Sequence, residues 1–383
     1  MTDLKGSGKV RNETEGGKNG VMDPEDYGPS VMDWRGFEPR ASSMPRRRSS
    51  ADLPALVVNF TKILNYSAPT RHYKFIASDT NTPMGNFVSD FVIMTKPRVW
   101  VFLLITGIAG EVFSLSILRS LDIGGFFYVT VYIALGLMGS ESISNYFDLS
   151  IDKKMKRTMN RALPSGRMSP RVALYGGLIL VAITLIMAIF RSVLSFAFMA
   201  TGIFDYTIIY SMLTKKRTSW NIVLGSYSGG APLLAGFYAF SSSYNVVAVL
   251  MFLTIFIWTP LHIWSLSIRY RDDYATAAVP MLPVNRTTRE SMRVLFPIAL
   301  FAAIITILTG LEFGYYFSFY IGLVIFLVYL ILGVSLLISY FRALTDPDKR
   351  IMKLFVSTNI FIGIFFAFIA VFSILIPFIG VVR

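Results

Sequence analysis

Asp148 and Asp152 stand four residues apart. On a helix that spacing puts both carboxylates on one face, with Asn145 one turn earlier on the same stripe. Two carboxylates and an amide oxygen are hard donors suited to Mg²⁺, which keeps positions open for a substrate's phosphate oxygens. The bases that follow, Lys153, Lys154, Arg157 and Arg161, suit the oxygens of a diphosphate. A second cluster runs from His262 to Tyr274 and contains Asp272 and Asp273. Two acidic patches from different helices can hold two cations around one diphosphate and help it leave an allylic carbon. Spacing alone serves equally for a solvated helix end laced with i,i+4 ion pairs. The elements that carry the acids have to decide between the two.

Those elements are apolar. Of 383 residues 54% are hydrophobic and only 15% charged, against about 25% in an average soluble domain. Mean hydropathy is +0.57, which excludes a disordered chain and calls for lipid to cover the apolar surface. Cysteine is absent and histidine occurs only at His72 and His262. Thiolate metal sites, cysteine nucleophiles and polyhistidine sites are therefore excluded. Nine apolar runs follow one another: 99–118, 124–143, 172–190, 193–213, 221–240, 245–268, 293–311, 315–340 and 354–379. Each is long enough, at about 1.5 Å per helical residue, to cross a hydrocarbon core of about 30 Å. Backbone hydrogen bonds must be satisfied within lipid, so the runs predict an all-α bundle of nine transmembrane helices.

The connections carry the charge. The second, fourth, sixth and eighth hold nineteen lysines and arginines, and the other side holds three. This asymmetry predicts an inside N-terminus, cytoplasmic even connections and an outside C-terminus. It also accounts for most of the net charge of +13, so nucleic-acid binding loses its support. Residues 1–90 differ: they are polar, with Arg46, Arg47 and Arg48 in a row. They predict a disordered extension before a membrane domain over 91–383. A start at Met84 accounts for the same composition. No apolar segment of signal-peptide type lies there and acids are frequent, which disfavours a leader and points to a plasma membrane.

Longer strings surround these residues. They are Thr95-Lys96-Pro97-Arg98-Val99-Trp100, then Asn145-Tyr146-Phe147-Asp148 through Asn160-Arg161-Ala162-Leu163-Pro164-Ser165-Gly166-Arg167. Lys216-Arg217-Thr218-Ser219-Trp220-Asn221, Trp258-Thr259-Pro260-Leu261-His262 and Asp272-Asp273-Tyr274 through Val279-Pro280-Met281-Leu282-Pro283 complete the set. In this order on these spans they resemble the UbiA-type membrane prenyltransferases and, within them, the group that farnesylates protoheme. The resemblance runs from about Lys96 to the C-terminus. Two positions depart from it. The leading Asn of the N-x-x-x-D-x-x-x-D pattern is Ser144, with Asn145 one place late, and Leu261 stands where a second proline is usual.

The resemblance implies a UbiA-type bundle and transfer of a farnesyl group from farnesyl diphosphate to a vinyl group of heme B. Water adds, and heme O and diphosphate are released. It implies two Mg²⁺ ions held by Asn145 (or Ser144), Asp148, Asp152, Asp272 and Asp273, and catalytic roles for Asp148, Asp152, Asp273 and His262. Lys96, Arg98, Lys153, Lys154, Arg157, Arg161, Lys216, Arg217 and Tyr210 are its diphosphate-binding candidates, with Lys215 and Tyr206 beside them. For His262 an iron ligand, a propionate contact and a proton carrier all stay open. Glu141, one turn above the acidic motif, is a candidate support for it. The implied partners are farnesyl diphosphate, heme B as a substrate, the lipid bilayer, and a heme A synthase or oxidase assembly factor. A prenyltransferase with another aromatic or lipid acceptor is the nearest alternative. A transporter is the alternative from a different class, weakened by acids that gather at one face instead of the midplane.

Overall fold

The computed structural model describes residues 84–380. The extension expected over 1–90 lies outside the described residues as far as 83. Its last residues are not a polar tail: they enter helix α1 (Met84–Met94). There Phe91 and Met94 join an apolar cluster with Ala162, Leu163 and Met168, so the boundary drawn at 90 falls inside a packed helix.

The spans follow as α2 (Pro97–Ile117), α3 (Ile123–Asp152) and α4 (Pro170–Arg191). Next are α5 (Val193–Phe204) with a π-helical continuation at Asp205–Thr214, then α6 (Asn221–Leu224) and α7 (Tyr227–Tyr238). α8 (Val246–Arg269) and the short α9 (Arg271–Thr276) lead to α10 (Thr288–Gly314), α11 (Phe319–Thr345) and α12 (Pro347–Ile379). Eight of these helices are long and apolar enough to cross a membrane. The remaining expected span, the fifth, is α6 with α7, broken at Gly225-Ser226. Among the described residues there is no strand.

The helix ends have local causes. Pro97 at the first turn starts α2, and Asp122 caps α3 by accepting from the Gly125 N–H at 2.8 Å. Thr287 and Glu290 form a reciprocal capping box on α10. α3 outruns its apolar segment by nine residues because its last turns are covered by protein. Ser144, Asn145, Asp148, Ile151 and Asp152 are all buried.

The spans close into a ring. α2 contacts α3, and each span then contacts the next through α12, which returns to α2. α2 also packs on α7, backbone against backbone. A Cβ at Gly110 would stand 2.2 Å from the Leu233 carbonyl oxygen, and one at Gly236 2.4 Å from that of Gly107. Only glycine permits that approach, a small-residue helix contact of the kind lipid favours. Outward-facing residues such as Ile179, Phe190, Ile331 and Phe378 are exposed and apolar, as a lipid-facing surface requires.

Candidate active site

Within the ring is a cavity of ≈ 490 Å³, within the usual range for small-molecule sites. One side of its wall is charged and belongs to α3. Glu141, Asp148 and Asp152 all line it, because spacings of seven and four residues keep them on one helical stripe. Each carboxylate has a basic partner from elsewhere in the chain. Glu141 pairs with Lys96 at 3.1 Å and accepts from the Tyr206 hydroxyl at 2.8 Å. Asp148 pairs with Lys215 at 2.6 Å, and Asp152 with Arg161 at 3.2 Å. Asp148 Oδ1 is buried without a hydrogen-bond partner among the described residues.

The π-helical turn explains how Lys215 gets there. Its N–H donates to the Tyr210 carbonyl, five residues back, at 2.9 Å. The wider turn of a π-helix keeps Tyr206 and Tyr210 stacked at 5.7 Å and sets the Lys215 ammonium 5.2 Å from the Tyr210 ring centre. Burial alone lowers the pKa of the Lys215 ammonium. The adjacent Asp148 carboxylate reverses that and holds it above the usual lysine range, so Lys215 stays charged. The same turn is backed by the broken span: Gly225 lies against the Tyr210 side chain, and Asp205 accepts from the Ser228 N–H at 3.0 Å, capping α7 from the neighbouring helix.

Another stretch of the lining is aromatic. Phe102, Trp258, His262 and Phe355 form a continuous stack along the cavity. His262 lies between Trp258 at 4.4 Å and Phe355 at 4.5 Å. Its Nδ1 is 3.0 Å from the Thr358 hydroxyl, and the Trp258 indole N–H donates to the Thr358 carbonyl at 2.8 Å.

The expected residues divide accordingly. Lys96, Arg98, Asp148, Asp152, Arg157, Arg161, Tyr206, Tyr210 and His262 line the cavity. Lys153, Lys154 and Arg217 are exposed and do not. Lys216 reaches the Ser150 hydroxyl at 2.9 Å on the outer side of α3. Asn145 donates to the Met94 carbonyl at 2.7 Å, and Ser144 contacts the Ser211 hydroxyl at 2.9 Å. Neither lines the cavity, so the structure brings no third oxygen donor from this turn to the aspartate pair. Asp272 and Asp273 sit in the first turn of α9, outside the lining, although their neighbour Tyr274 is part of it. The connections carrying them do meet at one face: Arg157 lies over the Tyr270 ring at 5.3 Å, and Asn285 donates to the Ser219 hydroxyl at 2.8 Å. Thr358 and Phe355 were not legible, since nothing in the spacing of a helix about a hundred residues downstream points back to His262.

For Mg²⁺ the donors are chemically apt. Asp148 Oδ1 is an available buried carboxylate oxygen, and Asp152 stands one turn away. Among the described residues no group of three His, Asp or Glu side chains converges as an all-protein metal cage. A Mg²⁺ ion at Asp148 and Asp152 would complete its shell with substrate oxygens.

A helical ring with an acidic and basic rim over an aromatic cavity defines a class, and comparison with known proteins identifies it. Residues 103–369 match the UbiA prenyltransferase family, and the chain belongs to that family. A protoheme IX farnesyltransferase of Thermoplasma volcanium is 36% identical over 281 residues, 73% of this chain and 96% of that protein. One from Kineococcus radiotolerans is 42% identical over 215 residues, 55% of this chain and 62% of its own length. Among solved structures, a digeranylgeranylglyceryl phosphate synthase superposes with a TM-score of 0.61 at 18% identity, covering 76% of this chain and 99% of that one. A UbiA homolog from Archaeoglobus fulgidus bound to GPP and Mg²⁺ superposes with a TM-score of 0.57 at 15% identity, over 74% and 99%. The transporter alternative falls with this assignment.

Proposed function

We propose that this protein transfers the farnesyl group of farnesyl diphosphate to a vinyl group of heme B, with addition of water, giving heme O and diphosphate. The observation that carries the reading is the mixed lining of one cavity. It combines charged side chains able to bind a diphosphate with an aromatic stack able to bind a flat apolar acceptor and a prenyl tail. The relatives from Thermoplasma volcanium and Kineococcus radiotolerans are named protoheme IX farnesyltransferases.

Lys215, Arg157 and Arg161 line the charged wall and bind the diphosphate oxygens through charge-assisted hydrogen bonds. Asp148 and Asp152 hold Mg²⁺, which when bound neutralises the charge that builds on the departing diphosphate. Asp148 also keeps Lys215 in place, and Glu141 does the same for Lys96 and Tyr206. Tyr206 and Tyr210 line the same cavity, where electron-rich rings stabilise an allylic cation. The apolar interior keeps water from that cation until the vinyl group attacks. Asp272 and Asp273 are the proposed second ion site, at the rim. The basic connections set the rim on the cytoplasmic side of a plasma membrane, and heme O passes from there to a heme A synthase or an oxidase assembly factor.

The test is expression in a bacterial membrane, followed by extraction of hemes and mass analysis. A heme heavier by one hydroxyethylfarnesyl modification, absent with Asp148→Asn, is the expected result. Heme B alone, from folded protein supplied with farnesyl diphosphate, contradicts the reading.

A further inference from the structure

The Thr358 hydroxyl lies within hydrogen-bond distance of both His262 Nδ1 and the Phe355 carbonyl. A threonine hydroxyl has one proton to donate, and that of Thr358 goes to the Phe355 carbonyl at 2.7 Å. Its oxygen, 3.0 Å from His262 Nδ1, is left as an acceptor, so Nδ1 carries the imidazole proton and Nε2 presents a lone pair. Nε2 has no hydrogen-bond partner among the described residues, and the ring lines the cavity. Trp258 and Phe355 hold the ring flat from both sides, and Trp258 is itself tied to the Thr358 carbonyl. The carboxylates lining the cavity are each ion-paired, Glu141 to Lys96, Asp148 to Lys215 and Asp152 to Arg161. His262 is the base on the cavity wall that no counter-charge among the described residues engages.

We infer that His262 Nε2 is the general base for the hydration step, with Thr358 as the positioning residue that holds the required tautomer. The inference rests on the heme-farnesylating reading. In the reaction the C1–O bond of farnesyl diphosphate breaks and its electron pair leaves with diphosphate. The vinyl π pair forms the new C–C bond to C1, which leaves a cation on the vinyl carbon next to the porphyrin ring. A water oxygen bonds to that carbon, and Nε2 takes one of its protons while the O–H pair stays on oxygen. Without the base, the same cation can lose a proton from the neighbouring carbon and close to an alkene, one water lighter than the hydrated product.

The experiment incubates membranes holding the full-length protein with farnesyl diphosphate, heme B and Mg²⁺. It follows diphosphate release, the masses of the extracted hemes and the absorption spectrum of bound heme B. In His262→Gln the hydrated product is expected to fall at least about tenfold, with part of the farnesylated heme appearing one water lighter and the spectrum of bound heme B unchanged. Thr358→Val should shift the products the same way to a smaller extent, and Thr358→Ser should restore them. Should His262→Gln fail to fold, the Thr358 pair carries the test. Hydrated product at the wild-type rate from His262→Gln, or from Thr358→Val if the former is unfolded, overturns the role. So does a spectral shift in His262→Gln that added imidazole reverses, which identifies an iron ligand. A wild-type protein that makes no farnesylated heme sinks the reaction itself as well as this step.

Discussion

At the scale of single residues, the geometry separates lysines that the sequence could not. Lys153, Lys154, Lys215 and Lys216 all flank the acidic motif or its neighbouring loop, but only Lys215 lines the cavity. Its ammonium sits 2.6 Å from Asp148 because a π-helical turn, not an α-helical one, ends that span. Lys215→Ala is expected to raise the KM for the prenyl donor about tenfold or more, since a hydrogen bond to a charged group contributes about 1.5–3 kcal/mol. Lys154→Ala should leave that KM within about twofold. Steady-state kinetics on membranes distinguish the two. The Asp148–Asp152 spacing was legible because it is local to one helix. Asn145 looked equally apt by spacing, but its amide is drawn to the Met94 carbonyl by a helix that the apolar runs did not reveal.

At the scale of elements, the apolar runs showed where helices cross and not where they end or break. α3 runs on to Asp152 because protein, not lipid, covers its final turns, and hydropathy cannot see that cover. The break of the fifth expected span at Gly225-Ser226 follows from a tertiary contact, the Tyr210 side chain lying against Gly225. A Cβ at Gly225 would stand 2.8 Å from the Tyr210 Cβ. Gly225→Ala should therefore destabilise the protein by about 1–3 kcal/mol, as overpacking does, and lower activity by displacing Tyr210 and Lys215. Gly363→Ala, where an added methyl meets nothing within 4 Å, should change neither. Thermal unfolding in detergent, with activity measured on the same samples, checks both.

At the scale of the molecule, the ring of spans divides labour between two parts of the cavity lining. α3, the π-helical turn and the basic connections build the charged part; α8 and α12, joined through Thr358, build the aromatic part with Phe102 of α2. The class of fold and the charged end were legible because hydrophobic length and basic loops are sequence-local signals. The pairing of α8 with α12 was not, because those helices meet only after the ring closes. An ion held by two carboxylates and substrate oxygens should be easy to remove. Chelation with EDTA is expected to abolish transfer, and excess Mg²⁺ to restore it, measured as diphosphate release.

The most direct measurement follows radiolabel from farnesyl diphosphate into heme. Purified membranes carrying the wild-type protein or Asp148→Asn are given labelled donor, heme B and Mg²⁺, and the extracted heme is counted. Label should enter heme with the wild type and fall by at least about a hundredfold with Asp148→Asn, the scale of losing a principal electrostatic contact in the transition state. Equal labelling by the two proteins, or label that never enters heme while diphosphate is released to another acceptor, would contradict the account.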